Sequence, residues 1–82
     1  MKVTREHVAQ RLTDFLQDRL SLAALVDWAE ETLIESEFDS VVTRDAVARI
    51  GVADVRAFGL TWEDCRSLLH RLGYEARVQV VA

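Results

Sequence analysis

Two histidines, one cysteine and a run of carboxylates are the side chains here best suited to chemistry. A nucleophilic Cys65 would need a histidine base within hydrogen-bonding reach. His70 lies about 140° around a helix from Cys65, so one helix cannot pair them. His7 is remote in sequence, and no two of these three residues have metal-ligand spacing. Cys65 is therefore expected as a small buried hydrophobe, His7 as a first-turn surface residue and His70 as a helix C-terminal residue. Glu35, Glu37 and Asp39 alternate as the first ligands of a calcium loop do. In that register the loop's glycine falls on Ser40 and its bidentate glutamate on Ala46, so no calcium loop is expected. Gly51, Gly59 and Gly73 stand alone, which leaves no phosphate-binding loop. No cofactor and no enzymatic activity are expected. A small ligand-binding domain or enzyme using carboxylates stays as an alternative, and it requires a pocket that raises one carboxyl pKa.

The carboxylates say more through their distribution. No Lys or Arg occurs in the 24 residues between Arg19 and Arg44, and that window holds Asp27, Glu30, Glu31, Glu35, Glu37 and Asp39. Its local charge is −6 in a chain of net −4, which leaves the remainder at +2. Such polarity favours a protein partner with a basic surface, or a second copy of the chain. On a helix over 22–36, Leu22, Leu25, Val26, Ala29 and Leu33 form the apolar stripe and the carboxylates lie mainly opposite. Asp27/Glu31 and Glu31/Glu35 are like-charge pairs, each costing about 0.2–0.5 kcal/mol on an exposed helix. Trp28 falls about 120° from the stripe, beside Glu31 and Glu35. An aromatic ringed by carboxylates suits an interface anchor; the alternative is that Trp28 packs under another helix as core. Asp27, Trp28, Glu31 and Glu35 are thus the candidate partner-binding residues, weighed against a plain solvated acidic face.

The elements that must position them come from the rest of the pattern. Half of the 82 residues are hydrophobic and 29% are charged, a globular balance, and one domain over 1–82 is expected. A pI near 5.0 argues against nucleic-acid binding. The longest nearly apolar run, 20–26, is far short of the ~20 residues that span a bilayer. A charged amphipathic N-terminus and a single cysteine suit a cytoplasmic chain. A first helix over 4–19 carries Val8, Leu12, Phe15 and Leu16. A turn spans 37–43, and Ser40 or Thr43 then starts a helix to 50 that ends or bends at Gly51. Asp54 to Gly59 is read as a short helical turn with Val55 and Phe58. Thr61 and Asp64 are spaced as a capping box for a helix carrying Trp62, Cys65, Leu68, Leu69 and Leu72, stopped by Gly73. Residues 75–81 alternate as a half-buried strand. Its partner is expected to be residues 1–3, the segment Val41–Val42, or the same strand of another copy, which makes Arg77, Val78, Gln79 and Val80 a candidate dimer strand and the chain a candidate homodimer. The fold class is mainly α: a small bundle of about four helices with a short C-terminal β-strand, α+β at the margin.

Ala53-Asp54-Val55-Arg56-Ala57-Phe58-Gly59-Leu60-Thr61-Trp62-Glu63-Asp64-Cys65 and Leu72-Gly73-Tyr74 resemble a group of small uncharacterised bacterial proteins. The resemblance implies a bacterial setting and carries no activity or binding residue. In size and charge the chain is also similar to bacterial immunity proteins and antitoxins, which implies a further alternative, a neutraliser of a basic toxin.

Overall fold

A computed structural model of the chain describes residues 2–56 and 58–77. Four helices make most of it: α1 (Arg5–Leu16), α2 (Leu22–Glu35), α3 (Val41–Gly51) and α4 (Trp62–Arg71). Two short strands, β1 (Lys2–Val3) and β2 (Glu37–Phe38), run parallel, with Lys2 opposite Glu37 and Val3 opposite Phe38.

Each helix starts where a side chain can satisfy its free amides. Ser21 Oγ accepts from the Ala24 N–H at 3.1 Å, and Ser40 Oγ from the Thr43 N–H at 3.2 Å. At α4 the expected capping box is complete. Thr61 Oγ1 accepts from the Asp64 N–H at 3.1 Å, and the Thr61 N–H donates to Asp64 Oδ2 at 2.9 Å. Gly73, at φ +95°, ends that helix as expected.

One sequence expectation needs correction. α1 stops at Leu16, because Asp18 takes φ +59° and turns the chain toward α2. The short turn foreseen before Gly59 is present: the Phe58 and Gly59 N–H groups both donate to the Val55 carbonyl, at 2.9 and 3.2 Å, Gly59 takes φ +64°, and Val55 and Phe58 stay about half exposed, at 47% and 55%. Of the intramolecular partners foreseen for the C-terminal strand, Lys2–Val3 pairs on one edge with Glu37–Phe38, and Val41–Val42 opens α3. Residues 74–77 are neither helix nor paired strand among the described residues; Val78, Gln79 and Val80 lie outside them.

The core is shared by all four helices. Val8 and Leu12 of α1, Leu25 and Ala29 of α2, Val47 and Ile50 of α3, and Cys65 of α4 are fully buried. β1 ties the N-terminal end to the α2–α3 link. The Asp39 N–H donates to the Val3 carbonyl at 3.1 Å, and the Asp39 carboxylate accepts from the Arg5 N–H at 3.3 Å.

Two of these contacts are sensitive to acid. The Thr43 hydroxyl, then the Arg5 N–H and the Ser40 hydroxyl, hold the Asp39 carboxyl below its ordinary 3.8. The backbone amide and hydroxyl of Thr61, helped by Arg49, do the same for Asp64. A carboxyl depressed in the native state is protonated first in the unfolded chain. Its stabilisation is complete above the unfolded value and is lost as pH falls through the native one. Melting temperature should therefore drop below about pH 4. The double variant Asp39→Asn with Asp64→Asn should show a flatter dependence in that window; an unchanged slope would contradict these assignments.

Candidate functional site

The candidate surface is the outer face of α2. Helical geometry places Ile34 about 140° from the centre of the buried stripe, with Asp27, Glu30 and Glu31 as its neighbours at i−7, i−4 and i−3. All four are exposed, and Ile34 is 84% accessible. Glu35 ends the helix. Beyond β2, Val41 (71% exposed) and Val42 (46%) open α3, with exposed Arg44 and Asp45 one turn on from Val41. The outer face of α2 thus combines an exposed aliphatic side chain with carboxylates.

The charges are not compensated within the fold. Among the described residues none of Asp27, Glu30, Glu31 and Glu35 forms an ion pair. The last turn of α2 holds no basic residue. Carboxylates there oppose the helix dipole by about 0.3–1 kcal/mol each at low salt. Together with the like-charge pairs at i,i+4, α2 carries a helix-weakening pattern that packing of its other face must offset.

The structure separates the residues that the sequence grouped. Asp27, Glu31 and Glu35 are exposed, whereas Trp28 is half-buried and packs on the core. Its ring lies under α1, with the Arg11 guanidinium carbon 5.4 Å from the ring centre. A shallow cleft of about 430 Å³ between α1 and α2 is lined by Val3, His7, Gln10, Arg11, Asp14 and Trp28. Ile34 is the residue sequence reasoning missed. The signal was available: an isoleucine off the stripe of its own helix, three and four residues after carboxylates.

The chemical candidates are otherwise occupied. Burial, and then the charge of Asp64, pushes the Cys65 thiol up to about 11, so it stays protonated at neutral pH. His7 Nδ1 accepts from the Thr4 N–H at 3.3 Å and so serves the start of α1. His70 is exposed in the last turn of α4. Among the described residues no cluster of three His, Cys, Asp or Glu could hold a metal ion. The carboxyl shifts found, at Asp39 and Asp64, run downward, opposite to what a general acid needs. No described helix is long and apolar enough to cross a membrane.

Compared with known protein families, curated proteins and solved structures, the chain matches none.

Proposed function

We propose that this chain is a protein-interaction domain rather than an enzyme, and that the outer face of α2 docks a partner with a basic surface. The observation that carries this reading is Ile34, 84% exposed among carboxylates that have no ion-pair partner among the described residues. Folding gains nothing from an exposed isoleucine and loses a little from each unpaired carboxylate in this pattern. A partner that covers Ile34 and brings Lys or Arg to Glu30, Glu31 and Glu35 turns both into favourable contacts. A basic site that otherwise meets nucleic-acid phosphates has this complementarity, so an immunity- or antitoxin-like neutraliser is a specific form of the same reading. The single cysteine, buried and reduced, suits a reducing, cytoplasmic setting.

Glu31→Lys tests the reading, because it should move stability and binding in opposite directions. It converts two repulsive i,i+4 pairs, with Asp27 and Glu35, into attractive ones and removes a negative charge near the C-terminus of α2. The variant should be about 1 kcal/mol more stable than the parent chain. At the same time, recovery of co-purifying basic protein at low salt should fall several-fold. Recovery equal to that of the parent chain would remove this face from the function.

A further inference from the structure

We infer that Tyr74–Arg77 pairs with the same segment of a second copy, antiparallel and centred on Ala76, so that Glu75 of each chain faces Arg77 of the other.

The burial of the segment alternates as that of an unpaired strand does. After the Gly73 stop, the Tyr74 N–H donates to the Leu69 carbonyl at 2.9 Å. Tyr74 and Ala76 then pack against the core, while Glu75 and Arg77 face out, a period of two. Among the described residues the backbone groups of Glu75, Ala76 and Arg77 have no backbone hydrogen-bond partner. Extended backbone with open N–H and C=O groups is a template for strand addition. There is also room for one. The segment lines two open clefts at once, about 730 Å³ toward α1 and about 680 Å³ toward the outer side of α4.

Charge selects both the partner and the register. Arg77 Nη2 lies 3.1 Å from Glu75 Oε2, so both side chains are on one face, where they are 84% and 78% exposed. Parallel pairing in register would set Glu75 against Glu75. Antiparallel pairing centred on Glu75 or on Arg77 would set like charges directly opposite. Centring on Ala76 opposes Glu75 to Arg77 twice, as a two-fold interface requires. The inward residues Tyr74 and Ala76 of both copies then share the face that carries the helices. In the sequence the same alternation runs on to Val80. This surface shares no residue with the α2 face, and the inference stands independently of the docking reading.

Sedimentation equilibrium of the full chain at low salt, over a wide concentration range, tests it. The expected species has twice the 9.3 kDa chain mass. Arg77→Glu should weaken the dimer about tenfold or more by opposing Glu to Glu. The double swap Glu75→Arg with Arg77→Glu should restore it, which a non-specific charge effect would not do. Ile34→Arg should leave it unchanged. A monomer at every concentration, a dimer indifferent to Arg77→Glu, or a failed rescue by the swap would each overturn the inference.

Discussion

Ile50→Ala is expected to destabilise the chain by about 2–5 kcal/mol, and Leu12→Ala by a similar amount. Both side chains are fully buried, one on α3 and the other on α1, in the cluster that all four helices share. Truncation removes the transfer energy of the deleted methyl groups and leaves a cavity that close-packed neighbours fill only in part. A domain of this size has a thin core, and total stabilities of about 5–15 kcal/mol are typical. Either variant should therefore lower the urea midpoint sharply and leave a measurable unfolded fraction at 37 °C. A loss under about 1 kcal/mol would mean that the α1–α3 contact is not central to the core. Ile34→Ala is the internal contrast. The same kind of side chain, 84% exposed, should change stability by no more than about 0.5 kcal/mol.

The second large effect is expected in binding. Ile34→Arg puts a cation at the centre of the proposed contact, where a basic partner would bring its own. The apolar anchor is lost, and Glu30, four residues away and one of the carboxylates that should meet the partner, gains the introduced guanidinium as a competing internal partner. Truncation of a central hot-spot residue costs about 2 kcal/mol or more, roughly thirtyfold in affinity, and charge reversal adds to that. Folding should not suffer, because an Arg at this exposed position completes an i,i+4 ion pair. Stability intact and binding lost is the combination that separates a surface kept for a partner from one kept for the fold.

The mainly helical fold was legible where the signals are local. The Thr61/Asp64 capping box, the Gly73 stop and the stripe of Cys65, Leu68, Leu69 and Leu72 depend on residues within a few positions of each other. All of them stand as read. What was not legible came from longer range. The pairing of Lys2–Val3 with Glu37–Phe38 joins two-residue strands far apart in the chain, too short to show a period. The early end of α1 rests on Asp18 adopting a left-handed conformation, open to aspartate but not signalled by it. Trp28 was ambiguous because its surroundings are set by Arg11 of another helix. The acidic side of the candidate site could be read from composition and spacing. Its apolar centre, Ile34, needed only the same helical projection applied to the residues outside the stripe.

Titration calorimetry of the full chain with its recovered basic partner, comparing parent and Ile34→Arg at low and at high salt, is the most direct test. The proposed docking face predicts affinity for the parent chain that falls as salt rises, and affinity at least about thirtyfold weaker for Ile34→Arg with an unchanged melting temperature. Equal affinity of the two proteins would contradict it and place the binding surface elsewhere on the molecule.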